Sequence, residues 1–162
     1  MGFKGSETYP AKPKKVFAML SDPDVITARF EAAGDKDVEI IRCEPDGDGF
    51  IIQSKRTVTI DLPGFAKKAL SPTNRMTQTE RWSAPDDDGG RTATFTIEVP
   101  GTPVRTEGTY ELRRSGKKTV HSVTGDLEIK IPIIGKKLGS FLSGTIKKAV
   151  ADDLAFNKKQ FD

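Results

Sequence analysis

Residues 9–23, Tyr9-Pro10-Ala11-Lys12-Pro13-Lys14-Lys15-Val16-Phe17-Ala18-Met19-Leu20-Ser21-Asp22-Pro23, decide how the rest of the chain is read. The alternating segment before them, Phe3 to Tyr9, predicts a strand that Pro10 stops, because proline has no N–H to give to a ladder. Pro13 suits a helix start, and Val16, Phe17 and Leu20 follow at helical spacing. Asp22-Pro23 restarts a second helix, expected over Asp24 to Ala33 and ended by Gly34. The opening unit is therefore a strand and a pair of short helices.

Beyond Asp37 the apolar period changes from helical to two. Turn signals at Pro45-Asp46-Gly47-Asp48-Gly49, Asp86-Asp87-Asp88-Gly89-Gly90, Pro100-Gly101-Thr102-Pro103 and Ser115-Gly116 divide this region. They predict six strands, at 37–44, 49–61, 73–83, 91–99, 104–113 and 118–131, with short-linked neighbours antiparallel. The longer link from Leu62 to Pro72 holds Phe65-Ala66-Lys67-Lys68-Ala69-Leu70, which is consistent with a helical turn.

From Gly135 to Phe161 the pattern is that of one helix, ~40 Å long at 1.5 Å per residue. Lys136-Lys137, Lys147-Lys148 and Lys158-Lys159 recur eleven residues apart, close to three helical turns, so all six belong on one water-facing side. Leu138, Leu142, Ile146, Ala149 and Phe156 form the opposite stripe. A strand of about twelve residues spans a similar ~40 Å, so this helix can lie along a whole sheet.

Several classes of function are disfavoured by composition. Lys and Arg are interleaved with Asp and Glu at a net charge of only +3, which does not imply nucleic acid. One cysteine, Cys43, and one histidine, His121, leave no disulfide, thiolate zinc site or ordinary histidine metal site, and neither metal nor cofactor is expected. No apolar run approaches the ~20 residues of a membrane span, and residues 1–7 lack a signal peptide's apolar core, so a cytoplasmic protein is expected. Its 162 residues read as one domain, 1–162, with a monomer favoured.

This order of elements resembles the helix-grip fold of the START and birch-pollen-allergen superfamily, across nearly the whole chain. Tyr9 to Pro23 is similar to that superfamily's entry signature. Pro63-Gly64-Phe65, Thr79-Glu80-Arg81-Trp82, Pro100-Gly101-Thr102-Pro103 and Ile131-Pro132-Ile133-Ile134-Gly135 are similar to an uncharacterised bacterial family within it. The resemblance implies an α+β fold: a seven-stranded curved antiparallel sheet, two short helices after strand one, and a long C-terminal helix over the concave face. Members bind lipids, sterols, polyketides or plant hormones, and some are cyclases or hydrolases, so the fold alone does not choose a function.

Strand alternation, with the more apolar set turned inward, gives the expected cavity lining. Val58, Met76, Phe95 and Ile97 come from the middle strands, Val123 and Leu127 from the last strand, and Leu138, Leu142 and Ile146 from the helix. Arg56, Gln78, Glu80, Tyr110 and His121 are the polar exceptions. Taking the Leu62–Pro72 link as centred near 67, Arg56 should stand opposite Gln78 or Glu80, and a buried Arg56–Glu80 ion pair is expected because an isolated buried charge is costly. His121, Glu80 and Tyr110 are the candidate acids or bases if the protein is an enzyme, although nothing resembling a nucleophile surrounds His121. Gly108 and Gly125 in mid-strand are expected to mark bends and to free space inside. Asp153 falls near the helix's inward stripe.

Counting turns places the Leu62–Pro72, Val99–Pro103 and Ile131–Lys137 links at one end of the sheet, where the resemblance also puts the cavity mouth. Phe65, Leu70, Ile133, Ile134 and Phe141 there mix with Lys67, Lys68, Lys136 and Lys137. Such a rim suits transient contact with an anionic membrane surface. The leading expectation is a non-enzymatic binder or carrier of a hydrophobic small molecule. The alternatives are a cyclase, aldol or hydrolase enzyme using the polar cavity groups, and a protein-interaction module without ligand.

Overall fold

The structure, a computed structural model, describes residues 1–162. Strand β1 (Gly2–Tyr9) is followed by helices α1 (Pro13–Leu20) and α2 (Pro23–Ala32). Six strands come next: β2 (Lys36–Asp46), β3 (Gly49–Thr59), β4 (Thr73–Trp82), β5 (Arg91–Glu98), β6 (Val104–Ser115) and β7 (Lys118–Ile129). Helix α3 (Gly135–Lys159) ends the chain. All seven strands form one antiparallel sheet in the order β1-β7-β6-β5-β4-β3-β2, the α+β helix-grip architecture that the sequence predicts.

Local chemistry explains the element ends. Pro13 opens α1 and Pro23 opens α2, where a missing N–H costs nothing. The Asp22 carboxylate accepts the Asp24 N–H at 2.9 Å and caps α2. Gly34, at φ 94°, lets the chain leave α2 in the left-handed region. Helix α3 stops two residues before the expected Phe161, whose ring instead turns back to lie 5.6 Å from that of Tyr9.

One register differs from expectation. Arg56 pairs with Met76, Ser54 with Gln78 and Ile52 with Glu80. Ile60 N–H donates to the Pro72 carbonyl at 2.8 Å, and a helical turn between them is centred on the fully buried Ala66. The link is therefore centred one residue earlier than the sequence reading assumed, and the opposing positions move by about two.

A row of alternating bulk crosses four strands. Phe3 stands beside Gly125 on β1 and β7, Gly125 beside Gly108 on β7 and β6, and Gly108 beside Phe95 on β6 and β5. A Cβ on Gly125 would collide with the Phe3 ring, and one on Gly108 with the Thr124 carbonyl oxygen and the Phe95 ring. The expectation that these glycines free interior space is corrected: the two rings occupy it.

Apolar side chains gather in three clusters. Tyr9, Val16, Leu20, Ile26, Phe30, Ile52, Trp82 and Leu112 join α1 and α2 to one end of the sheet. Leu62, Ala66, Leu70, Leu127, Leu138 and Leu142 join the β3–β4 link and the start of α3 to the other. Phe3, Phe95, Val123 and Leu154 lie between them. Helix α3 packs on β1 and β7 and touches α2, so it covers one flank of the concave face. The side chains do not fill what remains.

Candidate functional site

The unfilled space is a cavity of about 500 Å³, lined mainly by apolar side chains from the sheet, α2, α3 and the β3–β4 link. That volume is within the usual range for small-molecule sites. Strand direction sorts its lining. Val58, Ile60, Leu70, Val104, Leu127, Leu142 and Ile146 wall the end near the β3–β4 link. Arg29, Asp35, Arg56, Gln78, Glu80, Tyr110, His121, Asp153 and Asn157 gather toward the α1–α2 end. Thr59, Asp61, Asn74 and Thr106 also line the first end, so what distinguishes the floor is its buried charged groups.

Two hydrogen-bonded chains build that floor. In the first, Arg56 donates through Nε to Asp35 Oδ2 at 3.0 Å and through Nη1 to Gln78 Oε1 at 2.9 Å. Gln78 Nε2 then donates to Glu80 Oε2 at 3.1 Å, and Trp82 Nε1 to Glu80 Oε1 at 3.0 Å. The expected Arg56–Glu80 ion pair is therefore absent: the observed register sets Arg56 beside Met76, Gln78 bridges the two charged groups, and Asp35 supplies the counter-charge. Both members of the Arg56–Asp35 pair are nearly buried, with side chains 10% and 12% exposed. Arg56 also lies 4.1 Å from the centre of the Phe30 ring.

The second chain runs from α2 through α3 to the sheet. Arg29 Nη1 donates to Asn157 Oδ1 at 3.0 Å, Asn157 Nδ2 donates to the Tyr9 hydroxyl at 3.3 Å, and that hydroxyl lies 2.9 Å from His121 Nδ1. His121 Nε2 is buried and has no partner. The His121 ring stands edge-on to Tyr9 and Tyr110, at 5.8 and 5.6 Å between centres.

Burial sets the protonation of this floor. It pushes Glu80 above the usual carboxylate range, against the pull of Arg29, the two hydrogen bonds and Arg56. Asp35 and Asp153 are raised for the same first reason, with Arg56 opposing at Asp35 and Arg29 at Asp153. Desolvation lowers Arg56, while Asp35 restores part of its basicity. Tyr110 is raised well above a phenol's ordinary value by burial and then by Glu80. His121 falls to about 3, because burial and then the Arg29 charge both oppose protonation.

The structure brings together most residues that the sequence singles out. Arg56, Val58, Met76, Gln78, Glu80, Phe95, Ile97, Tyr110, His121, Val123, Leu127, Leu142 and Ile146 line the cavity. Leu138 does not; it is fully buried in the cluster under the β3–β4 link. Of the expected mouth residues only Leu70 reaches the cavity, while Phe65 and Phe141 pack against that same cluster. Ile133 projects fully into solvent at φ 71°, a strained backbone for a β-branched residue. The exposed residues among the lining are Ala33, Thr59, Asp61 and Ala149, which puts the opening between α3, the end of α2 and the start of the β3–β4 link.

Sequence reasoning missed Arg29, Asp35 and Asn157. Arg29 carried a signal, since it shares the buried face of α2 with Ile26 and Phe30 at helical spacing. Asn157 likewise continues the inward line of Val150 and Leu154. Asp35 carried none, because it follows the helix in a bend. No group of three or more His, Cys, Asp or Glu could hold a metal ion, and no helix is long and apolar enough to cross a membrane.

Solved structures share this architecture. A protein of Thermus thermophilus superposes with a TM-score of 0.70 at 19% identity, covering 99% of this chain and 97% of that one. A START superfamily protein from Mycobacterium smegmatis gives 0.62 at 15% identity and covers 99% of each chain. Ara h 8.0201 gives 0.56 at 15% identity and covers 97% of each. At these identities the likeness is one of fold. Among curated proteins none matches the sequence. A model of the family described as a protein of unknown function (DUF2505) matches residues 4–159, nearly the whole length, and the chain belongs to that family.

Proposed function

We propose that the protein binds and carries a hydrophobic small molecule, of lipid, isoprenoid or polyketide-like character, without chemically altering it. The observation that carries this reading is the 500 Å³ cavity, apolar over most of its wall with its buried charged groups collected at one end. An enzyme reading would need a group that exchanges protons near neutral pH. His121, held neutral down to about pH 3, is a weak base, and Tyr110, raised well above its ordinary value, is a weak acid; Glu80 is raised by burial, but both its oxygens are already engaged, by Gln78 and Trp82.

Exchange of such a ligand would be helped by contact with a membrane surface. Ile133 stands fully exposed close to Lys136 and Lys137, and the Lys137 ammonium lies 4.2 Å from the centre of the Phe65 ring, next to Lys67 and Lys68. An apolar tip among lysines suits an anionic bilayer, at ~1 kcal/mol per basic residue near the surface.

The test is displacement of a neutral fluorescent probe, N-phenyl-1-naphthylamine, together with native mass spectrometry of protein purified from its own host. A saturable one-to-one probe site, and a co-purifying apolar molecule lost on solvent extraction, are the expected results. Absence of any saturable site would end the reading.

A further inference from the structure

We infer that the cavity floor receives one acidic head group, and that the bound molecule is an apolar body ending in a carboxylate that seats on the free edge of the Arg29 guanidinium. The inference rests on the carrier reading above and specifies the chemistry of its ligand.

A count of donors on the floor points to this group. A guanidinium carries five N–H donors and no acceptor. Arg29 commits only Nη1, which donates to Asn157 Oδ1 at 3.0 Å. Its Nε and Nη2 have no partner, and side by side they form the fork that matches the two oxygens of a carboxylate. Arg56 spends Nε on Asp35 and Nη1 on Gln78, which leaves its Nη2 free. The Tyr110 hydroxyl makes no hydrogen bond either. Only His121 Nε2 is both unpartnered and sealed from any space, so these other donors keep open surface. Arg29, Arg56 and Tyr110 all line the cavity, and the two arginines are only 7% and 8% exposed, so that surface faces the chamber.

Charge selects the acceptor. Asp35 is committed to Arg56 at 3.0 Å, and both oxygens of Glu80 already accept N–H groups from Gln78 and Trp82. No carboxylate lies within 4.0 Å of Arg29, which leaves it a buried cation without an ion-pair partner. Such a cation is costly, and a ligand carboxylate supplies the missing charge where a neutral oxygen supplies only an acceptor. Glu80 and Asp153 oppose a further anion least when protonated, and burial raises both toward that form.

Undecanoate, its methyl ester, 1-undecanol and undecane are compared at pH 7 by displacement of N-phenyl-1-naphthylamine from the full-length protein. Undecanoate should bind at least tenfold more tightly than the other three and keep that margin in high salt, because a buried pair is little screened. Arg29→Gln, which retains a donor for Asn157, should abolish the margin and leave affinity for the probe and for 1-undecanol unchanged. Nitrogen-15 NMR supplies a reading independent of affinity and of that variant's folding. The Arg29 Nε–H signal, identified by its loss in Arg29→Lys, should move on adding undecanoate and stay in place on adding undecane. Equal binding of acid and ester, or an Arg29 signal that undecanoate leaves unmoved, overturns the acidic head group and leaves the carrier reading standing. A margin that survives in Arg29→Gln, or that fades with salt as it would if rim lysines attracted the acid, overturns it in the same way. Failure of all four to displace the probe overturns both readings.

Discussion

Arg56 on β3 is held by Asp35, 21 residues earlier in the bend after α2, through an Nε–Oδ2 contact of 3.0 Å. The contact fastens α2 to the floor of the cavity. Removing one partner of a nearly buried pair strands the other charge, at about 3–5 kcal/mol. Asp35→Asn should therefore lower unfolding free energy by about 3 kcal/mol in urea, and Asp35→Asn with Arg56→Met should lose less than Asp35→Asn alone. Equal losses would show that the cost is not the stranded cation.

Stability should fall with acid in a way traceable to one residue. His121 has a folded pKa of about 3, below the ~6.5 of an unfolded histidine, so its contribution is complete above pH 6.5 and is lost as pH falls toward 3. Asp35, Glu80 and Asp153 are raised, so they work in the opposite sense and favour the fold as they protonate. Tyr9 and Tyr110, which stand edge-on to the imidazole, are both raised by burial and stay protonated through this window. Urea melts of the protein and of His121→Gln between pH 7 and 4 should show a difference that shrinks steadily with acid. A pH-independent difference would contradict the burial argument.

The two mid-strand glycines should differ in tolerance. A Cβ on Gly108 meets a backbone carbonyl, which cannot move without bending β7, whereas one on Gly125 meets the Phe3 ring, which can rotate. Gly108→Ala should cost about 3 kcal/mol and Gly125→Ala about 1–2 kcal/mol, the range for forcing extra volume into filled space. Thermal melts order the two.

Filling the chamber should abolish binding without unfolding the chain. Val58 lines the cavity and is only half-buried, so a larger side chain there grows into empty volume. Val58→Trp should reduce affinity for N-phenyl-1-naphthylamine at least tenfold while leaving the melting temperature within a few degrees of the parent's.

At the lysine-bordered tip, Ile133→Asp should reduce flotation with vesicles containing one-third phosphatidylserine at low salt and leave probe binding in solution unchanged. Equal flotation of the two proteins would remove the membrane proposal.

How much could be read from the sequence follows from the range of the interactions involved. Alternation and helical spacing are local, so strand faces and the lysine-backed side of α3 were legible, down to the inward placement of Glu80, Tyr110 and His121. Register is not local. A shift of one residue in the centre of the β3–β4 link moved the position opposite Arg56 by two, from Gln78 to Met76. The partners that complete the floor, Asp35 for Arg56 and Asn157 for Tyr9, come from distant segments that meet only after folding. The expected mouth was legible only in part: Thr59 and Asp61, exposed in the lining, stand at the start of the β3–β4 link, but that link buries Leu62, Ala66 and Leu70, and the exposed lining continues to Ala33 and Ala149.

Helix α3 rests on β1 and β7, and the exposed lining at Ala33, Thr59, Asp61 and Ala149 is shared among α2, the start of the β3–β4 link and α3. A rim shared by separate elements changes width whenever one shifts against the others, and the Arg56–Asp35 contact ties the α2 side of it to β3.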